Sequence, residues 1–175
     1  MTEAQLSNAM DAYGSTVYRL ALTRMQNIAD AEDVYQEVFL RLWKQAAEDW
    51  DGDRAKAWLI RTTLNRCADL HRFRLRRPVL SFAEIPDLAQ PEDESRELWE
   101  AVSRLPEKAR TAVHLYYAEG YSAEEISQLM HIPAATVRTR LHQARKQLKE
   151  LLGGINDETC VSRSDGTNFG PQRAE

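Results

Sequence analysis

Signals for two helices separated by a very short break lie between Ser122 and Leu152, and they constrain the fold more than any other stretch of the chain. Ser122 followed three residues later by Glu125 predicts a capping box, in which the hydroxyl and the carboxylate each satisfy an amide at a helix start. Pro133 suits the first turn of a second helix because it has no amide hydrogen and its φ is already set. Two helices joined by so few residues predict a helix-turn-helix.

The second helix of this pair is predicted to carry an apolar stripe and a cationic face. The stripe repeats at spacings of four, three, four and three, which is typical of core positions: Val137, Leu141, Ala144, Leu148 and Leu151. Five cations lie largely outside this stripe: Arg138, Arg140, Arg145, Lys146 and Lys149. Only one acid, Glu150, offsets their charge in this helix. A basic helix alone is more often the solvated face of a bundle. The short turn, the capping box and the interleaved Thr139, His142 and Gln143 favour a helix that reads the major groove.

Composition narrows the class of protein. With 175 residues the chain has room for one domain or two small ones, and its 7 glycines suit an all-α fold with short connections. No run approaches the roughly 20 apolar residues that cross a bilayer, and the N-terminus lacks the order of a signal peptide, so we expect a cytoplasmic protein. The two cysteines, Cys67 and Cys160, and the four histidines show no metal spacing, so we predict no metal site and no cofactor. The histidines are expected to be exposed or loosely packed: His71, His114, His131 and His142.

The net charge of −4 conceals two strongly charged segments. From Arg54 to Arg77 there are eight Lys or Arg and one acid, which gives +7. From Glu84 to Glu100 there are seven acids and one arginine, which gives −6. A chain that separates its charge in this way has local fields that can attract nucleic acid despite an acidic total.

The first part of the chain is predicted to begin with two helices. Residues 1–27 read as one helix, with a bend or split allowed at Gly14, and Asp30 offers the N-cap of a second helix that reaches about Glu48. The apolar band of the second helix is wider than one small core needs, so part of it is expected to face a partner. A solvated flank of an ordinary bundle helix fits the same pattern.

A third helix, from about Arg54 to Arg76, is predicted after a turn at Trp50 to Asp53. One continuous face of it is mostly cationic: Arg54, Trp58, Arg61, Asn65, Asp69, Arg72 and Arg76. Such a face suits single-stranded nucleic acid, because cations follow the backbone while planar groups stack on or pocket unpaired bases. A tryptophan at helical spacing is more often a core residue, so Trp58 remains open to either interpretation.

The periodicity lapses from Pro78 to about Glu92, where three prolines predict a linker. A helix from about Ser95 to Arg104 follows, and another begins at Pro106 and closes at Gly120, with these predicted packing residues: Ala109, Val113, Tyr116 and Tyr117. The predicted organisation is a first domain, a linker, a second domain and a disordered tail, at 1–77, 78–92, 93–152 and 153–175.

Three segments occur together in this order: Asp-Ala-Glu-Asp-Val-Tyr-Gln-Glu-Val-Phe-Leu-Arg-Leu-Trp at 30–43, the basic helix at 57–72, and Leu-Pro-Glu-Lys-Ala-Arg at 105–110 leading into the helix-turn-helix. Over about residues 8–152 the chain resembles the bacterial sigma factors of the extracytoplasmic-function (ECF) group. The resemblance implies an all-α fold of two small helical domains joined by a flexible linker: a sigma domain 2-like three- to four-helix bundle and a sigma domain 4-like helix-turn-helix domain.

The resemblance also implies a function and its residues. The chain would bind core RNA polymerase through the clamp helices of the largest subunit, with Asp33, Gln36, Glu37, Phe39, Leu40 and Trp43. It would melt and capture the −10 element with Trp50, Arg54, Trp58, Arg61, Asn65, Arg72 and Arg76. It would read the −35 element as duplex with Arg138, Thr139, His142 and Gln143 nearest the bases and with Arg140 and Arg145 on phosphate. Members of the group are often held inactive by an anti-sigma factor, so one is an implied partner.

Three positions depart from the family pattern. His131 stands where a turn glycine is usual, and a non-glycine residue at positive φ is strained. Ala135 stands where a glycine often precedes Thr136, and Gln143 occupies a position that is often basic. These changes concern which bases are read rather than the role of the helix.

Two other classes of protein are compatible with parts of the sequence. One is a stand-alone helix-turn-helix regulator that binds duplex operator as a dimer, with the N-terminal helices serving dimerisation or sensing. The other is an enzyme, which is the weaker alternative because no nucleophile-base arrangement, phosphate loop or metal spacing occurs in the sequence. We therefore expect no enzymatic activity and no small-molecule substrate.

Overall fold

The computed structural model of the protein describes residues 2–45, 52–76 and 93–153. These residues form seven α-helices and no strand: α1 Glu3–Met25, α2 Ile28–Lys44, α3 Gly52–Arg76, α4 Asp93–Ser103, α5 Glu107–Val113, α6 Ala123–Met130 and α7 Ala134–Leu151. A π-helical turn, His114–Ala118, follows α5. The all-α prediction is confirmed. The predicted linker, nearly all of the predicted tail, Trp50, Cys160 and the side chain of Arg76 lie outside the described residues.

Helices α1, α2 and α3 pack together as a bundle around an apolar cluster that includes Val17, Val34, Val38, Leu42 and Leu59. Helix α1 continues through Gly14 without interruption. A Cβ at Gly14 would lie 3.0 Å from the Tyr35 hydroxyl oxygen, so the glycine lets α1 and α2 approach closely at this point. Gly14 therefore does not bend or split α1, and its role is to allow the close contact between the two helices.

The start of α2 differs from the prediction. Asn27, not Asp30, is the N-cap, and its side-chain oxygen accepts a hydrogen bond of 3.0 Å from the Asp30 amide. Asp30 lies in the first turn, is 6% exposed and forms an ion pair with Arg74 near the end of α3. Burial raises the pKa of Asp30, and Arg74 acts against that rise. The carboxylate thus ties the start of α2 to the end of α3.

The helix-turn-helix has the predicted form. The Ser122 hydroxyl accepts from the Glu125 amide at 3.3 Å, and the Glu125 carboxylate accepts from the Ser122 amide at 2.8 Å, so the capping box is present. His131 ends α6 in the left-handed region at φ 52°, where a glycine would be unstrained. Pro133 immediately precedes the first turn of α7.

The two halves of the chain share one apolar core, which no sequence pattern predicted. Leu20, Ile60 and Leu64 come from the first half, yet they belong to the same buried cluster as Leu115 and Ile126 of the second half. The picture of two separate units on a tether therefore does not describe this conformation, in which α1 and α3 pack against α5 and α6.

His114 is part of this contact. The prediction that it is an exposed or loosely packed imidazole is wrong. It is 5% exposed, and its Nδ1 lies 3.2 Å from the hydroxyl oxygen of Thr23 in α1. Its Nε2 lies 3.8 Å from the carboxylate of Glu119. Burial lowers the pKa of His114, with Glu119 acting in the opposite direction and Arg19 in the same direction. Burial between the two halves therefore favours the neutral form of the imidazole.

This burial predicts a stability that depends on pH. An unfolded histidine has a pKa of about 6.5, so below that pH the unfolded chain binds a proton that the folded chain resists. The stabilisation associated with His114 is present above pH 6.5 and is lost as the pH falls below it. We expect urea unfolding to show a fall in free energy from pH 7 to pH 5 that is smaller in His114→Gln. An identical fall in both proteins would contradict the assignment.

Candidate DNA-binding and partner-binding surfaces

Helix α7 presents its predicted reading residues to solvent because its apolar stripe faces inward. Val137, Leu141 and Ala144 are buried at 0%, 4% and 0% exposure. Leu148 is partly buried, whereas Leu151, predicted to continue the stripe, is 41% exposed at the helix end. Five of the six predicted −35 residues are exposed on the other side of the helix: Arg138, Thr139, His142, Gln143 and Arg145. The sixth, Arg140, is partly buried.

Arg138 is connected to the first helix of the motif. Its guanidinium forms an ion pair with the carboxylate of Glu124 in α6, and the two side chains are 60% and 59% exposed. An ion pair this exposed is worth at most about 1 kcal/mol, so a phosphate or a base edge can displace it. The pair orients Arg138 without removing it from the surface.

Helix α3 also keeps most of its predicted face in solvent. Arg54, Arg61, Asn65 and Arg72 are exposed, and Arg72 bonds to the exposed Asp69 at 2.6 Å, one turn earlier. Trp58 is partly buried and packs against the core of the first bundle. This packing agrees with the usual role of a tryptophan at helical spacing, which is that of a core residue. The part of Trp58 that remains exposed belongs to the predicted cationic face.

Helix α2 exposes an apolar pair next to polar residues. Leu40 is 57% exposed and Trp43 is 42% exposed, and both are unusually accessible for large apolar side chains. Asp33 and Gln36 are exposed on the same helix. The apolar pair and these two residues are called the α2 surface below.

Two of the residues predicted to contact the polymerase have other partners in this structure. Phe39 is only 4% exposed and packs on Tyr35 with ring centroids 4.8 Å apart, so it supports the α2 surface from inside and does not lie on it. Glu37 is partly buried and forms ion pairs with Arg41, at 2.7 Å, and with Arg66 of α3.

The π-helical turn alters the second half in a way that the sequence pattern did not indicate. Tyr116 and Tyr117, predicted to pack inside, are 40% and 57% exposed and meet edge to face at 4.9 Å between centroids. The bond from the Glu119 amide to the His114 carbonyl closes a five-residue turn, which shifts the following side chains around the axis. Leu98 and Trp99 of α4 are also exposed, at 48% and 42%.

Within 2–45, 52–76 and 93–153, no group of three or more His, Cys, Asp or Glu side chains could hold a metal ion. No helix in these ranges is long and apolar enough to cross a membrane.

The structure thus presents an exposed basic helix in a helix-turn-helix, an exposed cationic face on α3 and an exposed apolar pair on α2. These are the features expected of a DNA-binding protein that also docks on a protein. Comparison with known proteins gives the same class. The profile described as Sigma-70 region 2 matches residues 9–77, and the profile described as Sigma-70, region 4 matches residues 95–148.

Relatives of established name match most of the chain. The ECF RNA polymerase sigma factor SigM of Bacillus subtilis is 32% identical over 155 residues, which are 83% of this chain and 94% of SigM. The ECF sigma factor SigE of Mycolicibacterium smegmatis is 34% identical over 161 residues, which are 86% of this chain and 62% of SigE. The chain therefore spans less than two thirds of the length of SigE and nearly all of SigM.

Solved structures agree on the fold. The sigma factor RpoE of Bartonella quintana, in complex with the anti-sigma factor NepR, has a TM-score of 0.72 at 23% identity, covering 87% of this chain and 99% of RpoE. CnrH, in complex with the cytosolic domain of CnrY, has a TM-score of 0.62 at 25% identity, covering 89% and 92%.

The chain belongs to the ECF sigma factors of RNA polymerase. Proteins of this class direct the polymerase to promoters for the initiation of transcription. The profile matches extend over both halves of the chain, so the alternative of a stand-alone operator-binding dimer is not favoured.

Proposed function

We propose that α7 of this sigma factor reads the −35 element, α3 captures the −10 element, and the α2 surface binds core RNA polymerase. The observation that carries the proposal is the separation of three exposed surfaces on three helices, each with the chemistry that its task requires. Polymerase supplies the catalysis, so this chain needs no catalytic group of its own, and it acts in the cytoplasm with the polymerase.

Recognition of the −35 element is supported by the geometry of α7. The major groove admits an α-helix, and a side chain with two parallel donors or acceptors can distinguish one base pair from another. Arg138, His142 and Gln143 are exposed and lie within about one and a half turns of the helix. The neighbouring Arg140 and Arg145 are placed to neutralise phosphates, which fixes the register without reading sequence.

Arg138→Ala is expected to weaken recognition of the upstream element and to leave polymerase binding unchanged. A lost bidentate contact to a base is worth about 1–3 kcal/mol, which is about fivefold to 150-fold in affinity. Removing the guanidinium also leaves the carboxylate of Glu124 without its partner, near the DNA phosphates. The measurement is binding of the holoenzyme to promoter fragments with intact or scrambled −35 sequence, followed by titration of core polymerase.

Glu124→Gln is the matched control, because it breaks the same ion pair but keeps Arg138. It should preserve discrimination between the two fragments. Equal loss of DNA recognition and polymerase binding in Arg138→Ala would contradict the division of tasks between α7 and α2.

Capture of the −10 element is supported by the α3 face. Melted DNA offers one strand and its unpaired bases, and base stacking or pocketing is worth about 1–3 kcal/mol per base. Arg61 and Arg72 can follow the backbone of that strand, while the amide of Asn65 can hydrogen bond a flipped base. Arg54 and the exposed part of Trp58 extend the same face, and the predicted Trp50 adjoins it in sequence.

An anti-sigma factor is a further proposed partner. RpoE, whose fold matches this chain, was solved with the anti-sigma factor NepR bound. The exposed apolar side chains of the α2 surface offer a site that a regulator can cover in competition with the polymerase.

A further inference from the structure

The first turn of α3 is held by a side chain of α1. The hydroxyl of Tyr13 donates a hydrogen bond of 3.0 Å to the carbonyl oxygen of Gly52, the first residue of α3. The two residues are 39 positions apart, so the bond joins helices that no local pattern connects. Tyr13 is partly buried and packs against the apolar cluster of the first bundle, so that core sets the position of its hydroxyl. The hydroxyl of Tyr13 and the carbonyl of Gly52 are called the α1–α3 anchor below.

The close approach of the hydroxyl explains why residue 52 is a glycine. A Cβ at this position would lie 3.1 Å from the Tyr13 hydroxyl oxygen, which is tighter than most contacts of a Cβ atom. Glycine is otherwise a poor choice inside a helix, because it loses more backbone freedom on folding than any other residue. At Gly52 this local cost is accompanied by the contact with α1.

The anchor acts on the part of α3 that is least stabilised by burial. The first four amides of a helix have no partner within it, so a first turn frays unless contacts outside the helix restrain it. Gly52 and Asp53 are exposed, and burial in α3 begins at Ala55 and Leu59, which are 8% and 1% exposed. The Tyr13 hydroxyl therefore restrains the turn that precedes the buried part of the helix.

Arg54 projects from this same first turn. It is exposed, it follows Gly52 by two residues, and it begins the cationic face that continues through Arg61 and Asn65. The later two residues lie on turns that the core holds, since their neighbours in sequence, Ile60 and Leu64, are buried. Movement of the first turn would therefore shift Arg54 relative to the rest of the face. A nucleic acid strand that contacts the whole face meets a preformed surface only if this turn is held in place.

We propose that Tyr13 is a positioning residue for capture of the −10 element, which acts through Gly52 on the first turn of α3, and so on Arg54, without contacting DNA itself. This inference rests on the proposed role of α3. A surface that is already ordered loses less conformational entropy when it binds its ligand. Both partners of the anchor belong to the first bundle, so the restraint depends only on the packing of α1 against α3.

Tyr13→Phe tests the proposal because it removes only the hydroxyl and keeps the ring in the core. A hydrogen bond at an accessible site contributes modestly, so the holoenzyme should bind a single-stranded oligonucleotide with the non-template −10 sequence about threefold more weakly. Binding to the clamp-helix fragment and discrimination of the −35 element should not change. Tyr18→Phe is the matched control, since Tyr18 is also a partly buried tyrosine of α1 but packs edge to face on Tyr35 of α2 at 6.3 Å between ring centroids.

Two double variants show whether the effect passes through the anchor to Arg54. The loss caused by Tyr13→Phe should largely disappear in a chain that already carries Arg54→Ala, because residues that act through one another are not additive. Gly52→Ala should weaken strand binding in the wild type, where its methyl group displaces the hydroxyl. It should cause little further loss in Tyr13→Phe, which has no hydroxyl to displace. A general loss of stability predicts neither result.

Hydrogen exchange in the free full-length chain reports on the anchor without DNA. The amide of Lys56 is the first in α3 that can bond to a carbonyl of the helix, that of Gly52 four residues earlier, and the Ala57 amide is the next. Both amides should exchange about threefold faster in Tyr13→Phe, because the first turn opens more often. They should exchange at the wild-type rate in Tyr18→Phe.

The outcomes separate this inference from the proposed function. Unchanged exchange or unchanged strand binding in Tyr13→Phe would overturn the inference, and so would losses that simply multiply with those of Arg54→Ala. Equal losses of strand binding, clamp binding and −35 discrimination would reveal a general structural defect and overturn it as well. If the wild-type holoenzyme binds the −10 oligonucleotide no better than a scrambled one, the proposed role of α3 itself fails. Faster exchange together with a selective loss of strand binding supports the positioning role.

Discussion

Replacing Leu40 and Trp43 together by alanine is expected to lower the affinity for core RNA polymerase by about thirtyfold or more, without unfolding the protein. Buried anchors at interfaces commonly contribute about 2 kcal/mol or more each on truncation, and tryptophan is prominent among them. Both side chains are largely exposed in the free chain, so their truncation leaves little cavity behind. The measurement is titration of the labelled sigma factor with a fragment that contains the clamp helices of the largest subunit.

Trp99→Ala provides a control of matched exposure, since Trp99 and Trp43 are both 42% exposed but lie on different helices. It should bind the clamp fragment as the wild type does. If the α2 double variant binds equally well, the α2 surface is not the docking site. If Trp99→Ala loses as much affinity as the α2 double variant, any exposed apolar side chain contributes to binding and the α2 surface is not a specific docking site.

The second large effect is expected from Arg61→Ala with Asn65→Ala. Each contact to a captured base or its strand contributes about 1–3 kcal/mol, so the double variant should reduce stable open complexes by roughly a hundredfold. Both residues are exposed on α3, and neither belongs to the buried clusters. Permanganate reactivity of unpaired thymines in the −10 region measures opening directly.

A template that carries a preformed bubble over the −10 element separates melting from binding. The variant should recover a large part of its activity on this template, since the energy for strand separation is already supplied. Arg104→Ala removes another exposed arginine, which directly follows α4 and pairs with Glu100, and should open duplex promoters normally. A defect that persists unchanged on the bubble would place the fault in polymerase binding, against the role assigned to α3.

The local features of the fold were predictable because their causes are local. The capping box at Ser122 and Glu125 depends on residues three apart, and the structure has it. Pro133, predicted in the first turn of α7, is instead its N-cap, one residue earlier. The same kind of inference placed the N-cap of α2 at Asp30 instead of Asn27, because two side chains capable of capping stand three residues apart. In the structure Asp30 lies in the first turn and its carboxylate pairs with Arg74, a distant residue that the local pattern does not report.

Features that depend on distant residues were not predictable from one sequence. The contact between Thr23 and His114 joins positions 91 residues apart, and no periodicity reports it. Arg110 lies on an amphipathic helix where a cation is normally solvated, yet it is buried because the last turn of α1 offers it free carbonyls. The exposure of Tyr116 and Tyr117 follows from a π-helical turn that a 3.6-residue period cannot show.

The exposure of the residues on the three proposed surfaces was predictable to different degrees, because each surface was inferred from a different pattern. On α7 the buried stripe fixed which side chains face outward, and the exposed set agrees with that choice. On α2 the apolar band was wide, so sequence alone could not separate the buried Phe39 from the exposed Leu40 and Trp43. Assignment of any of these residues to a DNA base or a polymerase helix remains a prediction.

Reconstitution with core RNA polymerase is the most direct measurement for the central claim. The purified chain is added to core enzyme and genomic DNA, and the 5′ ends of the transcripts are sequenced. The proposed function predicts that starts cluster downstream of two shared sequence elements, that Arg138→Ala scatters selection of the upstream element, and that Arg61→Ala with Asn65→Ala depletes the starts. Starts distributed as with core enzyme alone would contradict it.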